Sequence, residues 1–168
     1  MNKIITLIAL FVATTLTAHA QNASANKEFN TTLNAYFETK NALAKDDALR
    51  ASERVKHLAK TIENFPVSRL STEQQGTWKK ETEVIRKAAL EISTEKAIKV
   101  QRNSFWPLSS AMVKLAKAFK LNTEDIYVQY CPMAKKSWLN EVEAIQNPFY
   151  GSMMYDCGEV TETISKKK

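Results

Sequence analysis

From Lys27 onward, apolar residues recur every three or four positions, and each such run predicts an amphipathic helix. Phe29, Leu33, Tyr36, Phe37 and Leu43 make the first stripe. Asp46-Asp47 interrupts it, two acids suited to the first turn of a second helix. That helix carries Ala48, Ala51, Val55, Leu58, Ala59 and Ile62, and it ends at Phe65-Pro66 because proline disfavours helical geometry in the residue before it. Ser71 followed by Gln74 is a capping box, with Glu73 placed well for the helix dipole. Trp78, Ile85, Ala89 and Ile92 give the third buried face. After a break at 93–95 the fourth stripe runs through Ile98, Gln101, Phe105, Leu108, Met112, Leu115 and Phe119. Pro107 inside it should free the carbonyl of Asn103 and kink the helix near Trp106.

Four such helices with short connections predict a mostly α protein, an antiparallel four-helix bundle over residues 27–120. Without a break at Ser93-Thr94, the third and fourth helices would merge into one long bent helix. The character changes after Lys120. Ile126, Val128 and Tyr130 alternate with Tyr127 and Gln129, the period of a short strand, and Asn147-Pro148, Gly151 and Gly158 mark turns. The tail, 121–163, is expected to lie irregularly across the bundle, since even the 48 residues of 121–168 would hold too small a core alone. Bundle and tail thus make one domain, 27–163, followed by a basic tail, 164–168.

The first twenty residues read differently. A basic start at Lys3, an apolar run from Ile4 to Leu16 and the small residues of Ala18-His19-Ala20 fit a signal peptide cleaved after Ala20. A flexible leader, 21–26, would follow, and the protein would be periplasmic or secreted. The apolar run is short for a membrane span, and none is expected after cleavage. The formal charge of the 168 residues is +6; losing Lys3 leaves +5, spread among Glu and Asp as a solvated surface rather than a nucleic-acid-binding face. With 44% hydrophobic and 25% charged residues the chain is globular rather than disordered.

His57 is the single histidine left after cleavage, beside the second apolar stripe and read as a surface residue. Tyr36, Trp78 and Trp106 fall at core spacing. No nucleophile elbow, phosphate loop, dinucleotide fingerprint or zinc-protease motif occurs, so no enzyme is expected. Candidate chemistry lies in sulfur. Cys131-Pro132-Met133 places a thiol and a thioether two residues apart, and Met153, Met154 and Cys157 repeat those atom types. Soft sulfur donors select copper(I) or silver(I). Two cysteines in an exported chain equally suit a structural disulfide, with the methionines filling gaps, or free thiols.

The order Tyr127-Val128-Gln129-Tyr130-Cys131-Pro132-Met133-Ala134, Trp138-Leu139-Asn140, Ile145-Gln146-Asn147-Pro148-Phe149-Tyr150-Gly151, Met153-Met154 and Cys157-Gly158-Glu159-Val160 resembles an uncharacterised bacterial domain family. That family occurs as stand-alone exported proteins, frequent among Bacteroidetes, and fused to the periplasmic adaptor subunits of Cus-type copper/silver efflux systems. The resemblance implies a periplasmic location and an association with heavy-metal handling. Copper(I) or silver(I) would then be held by Cys131, Met133 and Cys157 with Met153 or Met154, and the partners would be periplasmic components of a metal efflux system. The alternative is a non-metal interaction module pinned by a Cys131–Cys157 disulfide.

Overall fold

A computed structural model describes residues 24–167. The signal-peptide reading, the start of the leader and Lys168 lie outside the described residues. Helix α1 spans 24–44, α2 Ala48–Glu63, α3 Thr72–Thr94 and α4 Ile98–Phe119. Strands β1 (Ile126–Cys131), β2 (Lys136–Asn140) and β3 (Glu159–Ile164) follow. The chain is mostly helical, with a small sheet near its C-terminus.

The stripes explain the helices. Phe29, Leu33, Tyr36, Phe37 and Leu43 are all buried, as are Val55, Leu58, Ile62, Trp78, Ile85 and Ile92, and with the apolar face of α4 they close one core. The contacts of α2 with α3, and of α3 with α4, fit a four-helix bundle. Aromatic pairs run through its centre: Tyr36 stacks on Phe105, and Phe29 and Trp78 both lie against Phe119. The capping box forms in both directions, Ser71 Oγ accepting from Gln74 N–H and Gln74 Oε1 from Ser71 N–H. The break between α3 and α4 falls at 95–97, where Glu95 Oε1 accepts from the backbone N–H groups of Lys96 and Ala97. Helix α4 continues through Pro107.

Three details differ from the sequence pattern. Helix α1 takes in the last three leader residues, 24–26, because Ala25 is buried against the core. Asp46 and Asp47 do not fill a first turn. Asp47 is the N-cap of α2, accepting from Arg50 N–H, while Asp46 adopts a left-handed φ of 60° in the connecting turn. The tail is also more regular than expected, a three-stranded antiparallel sheet in the order β2-β1-β3 with a bulge at Val128/Gln129. It carries the last strand through Ile164, which is buried, and Asn122 anchors both Ile164 O and Lys167 N–H.

The sheet packs on the bundle through β2 and α4, and α1 is covered from both sides. Tyr36 Oη accepts from Leu139 N–H at 3.1 Å and shares a 2.9 Å hydrogen bond with Ser109 Oγ, tying α1 to α4 and β2 at one buried point. Burial drives the Tyr36 phenol far above its ordinary range, so it stays a neutral hydrogen-bonding group.

Candidate functional site: a thiol pair at the end of the sheet

Cys131 closes β1, and Cys157 sits two residues before β3 begins. Because β1 and β3 pair antiparallel with Tyr130 opposite Glu159, the chain entering β3 passes the end of β1. The two sulfurs lie 3.4 Å apart. Gly158 allows this approach: at φ 154° it runs so close to β1 that a Cβ would sit 2.9 Å from Tyr130 O and 3.1 Å from the Trp138 ring.

Neither cysteine is bonded to the other; both are free thiols, Cys131 buried and Cys157 half-buried. The backbone N–H of Ala134 points at the Cys131 sulfur from 3.4 Å. Lys135 at φ 53° closes the tight turn after Cys131, its N–H donating to Cys131 O. The hydrogen bond to Cys131, ahead of burial and the charges of Cys131 and Asp156, pushes the Cys157 thiol above its usual range. Cys157 therefore keeps its proton at neutral pH.

The loop carrying Cys157 is stapled by Asn147. Its Nδ2 donates to Cys157 O at 2.9 Å, its Oδ1 accepts from Phe149 N–H at 2.9 Å, and its backbone N–H donates to Tyr155 O at 2.8 Å. Behind the loop lies a clamp from the bundle. Arg102, largely buried in α4, donates through Nε to Pro148 O at 3.0 Å and through Nη2 to Leu43 O at 2.7 Å and Asp46 Oδ1 at 2.5 Å. The other Asp46 oxygen accepts from Ser152 N–H at 2.9 Å. Hydrogen bonds from Ser152, then from Arg102, hold the Asp46 carboxyl down at about 2. Asp46, Asn147 and Gly151 read in sequence only as breaks or turns, because their roles here, like that of Arg102, depend on contacts between distant segments. The polar pair Gln101-Arg102, set within and beside the apolar stripe of α4, is the sign that the sequence offers.

The methionines separate. Met133 and Met153 are exposed and line one groove of about 490 Å³ with Ile98, Ala134, Phe149 and Tyr150, while Met154 is half-buried in the turn whose carbonyl accepts from Cys157 N–H at 3.2 Å. His57 is exposed, 3.7 Å from Glu38. Among the described residues, no three His, Cys, Asp or Glu side chains cluster to hold a metal ion. Any metal here would rest on two thiolates and on thioethers. That donor set is poor for hard divalent cations and well suited to monovalent copper or silver.

Fold and site define a helical domain closed by a small antiparallel sheet, with a thiol pair at the end of the central strand. Residues 32–124 match a family described as "Protein of unknown function (DUF3347)"; the match covers more than half of the chain, and the chain belongs to that family. It reaches from within α1 to just before β1, so the thiol pair lies beyond it. No curated protein matches the chain. No solved structure matches it. Among the described residues no helix is long and apolar enough to cross a membrane.

Proposed function

We propose that the chain is an exported, periplasmic helical protein of heavy-metal handling, which binds copper(I) or silver(I) through Cys131 and Cys157. The observation that supports this reading is the approach of the two sulfurs to 3.4 Å at a partly accessible strand end. The thioethers of Met133 and of Met153 or Met154 are the other soft donors at this end of the tail. The periplasmic setting and a partnership with components of a metal efflux system follow from two sequence features. One is the signal-like start at 1–20, and the other is the likeness of the tail to domains fused to Cus-type adaptors. The role is binding rather than catalysis.

Metal binding must displace the Cys157 proton, so uptake should release protons and weaken as pH falls. Reduced protein is expected to compete with a copper(I) chelator, and Cys131→Ser to lower the apparent affinity by at least about a hundredfold, since one of two thiolates is lost. A wild-type chain that takes no copper(I) from the chelator would sink the reading.

The same spacing favours one other reading, a non-metal interaction module with a structural Cys131–Cys157 disulfide. The sulfurs would have to close to about 2.05 Å. Protein recovered from its native compartment would then show no free thiol before denaturation and reduction. It would also lose several degrees of melting temperature when reduced, as expected for a bond worth about 3 kcal/mol. The two states use the same sulfurs and exclude each other, so a thiol count beside the copper(I) titration separates them.

A further inference from the structure

We propose that the groove between α4 and the tail is a second soft-metal site, built from the Met133 and Met153 thioethers and independent of the cysteines. It deepens the metal-handling reading by separating acquisition in the groove from retention at the thiol pair.

Met133 is 64% and Met153 75% exposed, and both line the same concavity. They come from opposite sides of the tail: Met133 from the turn after β1, Met153 from the 3-10 turn Gly151–Met154. Tyr150 joins the two walls, its Oη donating to Met133 O at 3.4 Å. Ala134 also lines the groove, and its N–H faces the Cys131 sulfur, so the groove opens beside the thiol pair.

The surroundings select the ion. Lys99, Arg102 and Lys136 line the groove and no carboxylate does. Lys136 lies over the Phe149 ring, 5.1 Å from its centroid, and Arg102 is already neutralised by Asp46. Hydrated hard cations are repelled by the two lysines and find no carboxylate ligand in the lining. Copper(I) and silver(I) travel in chloride or thiolate solution as anionic complexes, which the lysines attract. In the groove a thioether sulfur bonds to the metal as a chloride or thiolate leaves; no electron is transferred. Passage to the cysteines replaces thioether by thiolate and releases the cysteine protons to water.

The test uses the reduced full chain carrying C131A and C157A together, with C131S/C157S as a second background should either fail to fold. Methionine methyl groups are labelled with carbon-13, and copper(I) is titrated anaerobically as its soluble anionic chloride complex. We expect the Met133 and Met153 methyl signals to shift together, with buried Met112 unmoved. Met133→Leu and Met153→Leu should each weaken the remaining signal's response by about tenfold, because a chelating partner is lost. The site is refuted if no methyl signal shifts, or if either thioether responds equally well without the other. Failure of the wild-type chain to retain copper(I) would overturn the thiol reading and leave this result standing. Silent methyl signals beside intact copper(I) retention would overturn the groove site alone.

Discussion

Replacing Arg102 with Met should lower the folding stability by about 3 kcal/mol, the cost of removing one partner from a buried charged network. The guanidinium serves three acceptors at once: Leu43 O at the end of α1, Pro148 O in the tail, and Asp46 in the turn between α1 and α2. Without it Pro148 O loses this donor, Leu43 O keeps only the Asp46 N–H, and the Asp46 carboxylate keeps only Ser152. Lys should rescue poorly, since an ammonium cannot reproduce the fork of a guanidinium. Gly151→Ala should be damaging by a separate route. Gly151 has φ 60°, and an added Cβ would overlap the Arg102 guanidinium and the Asp46 carboxylate. Urea unfolding of the two single variants and the double variant measures both effects. The double should cost much less than the sum, because each change breaks the same clamp. A loss below about 1 kcal/mol for Arg102→Met would show that the clamp contributes little. The carboxylate's share of stability is present above its ordinary value of 3.8 and is lost as pH falls through about 2. The clamp should therefore outlast mild acid.

Lys40 carries the second large effect, and its sign is unusual. This α1 side chain is fully buried, and its ammonium meets Asn140 Oδ1, Gln146 Oε1 at 2.8 Å and Glu141 Oε2 at 3.1 Å. Burial, partly offset by the Glu141 charge and hydrogen bond and reinforced by Lys45, brings Lys40 down from 10.5 to about 8. Between those values the unfolded chain holds a proton that the folded chain has released. Stability therefore rises with pH across that window, by about 2–3 kcal/mol in all. Lys40→Met removes this dependence. At pH 7 the variant should be less stable by about 2 kcal/mol, moderated because Glu141 can regain water. The gap to wild type should widen from pH 8 to 10. Unfolding curves of both proteins across that range provide the check, and parallel curves would place the Lys40 proton elsewhere.

The helical half of the fold was legible because its stripes are one-sided. Leu58 or Ile85 points into the core while its neighbours meet water, and that contrast is what periodicity detects. Strand β1 alternates only as far as Val128; the bulge at Val128/Gln129 then buries Gln129 and leaves Tyr130 half-buried, and β2 and β3 do not alternate. In β2, Trp138, Leu139 and Asn140 are all buried, so both faces are covered, and β3 is almost wholly exposed apart from Ile164. Lys40 hid because α1 lies between bundle and sheet, which buries positions off the apolar stripe. At the candidate site, the cysteines and methionines stood out by atom type. Their separation into a thiol pair and an exposed thioether groove could not be read, since it depends on the register of β1 with β3. The clamp was invisible for a related reason. Asp46 and Arg102 are 56 positions apart, and nothing local to either marks the other.

The unequal burial of the two cysteines fixes a chemical direction. A small oxidant, a glutathione-like disulfide or an alkylating agent meets half-buried Cys157 before it can reach Cys131. An adduct formed there as a mixed disulfide has a second sulfur only 3.4 Å behind it, shielded from solvent and placed to expel the incoming group. Once Cys157 is deprotonated, disulfide exchange would start at that accessible sulfur and be resolved by Cys131 behind it.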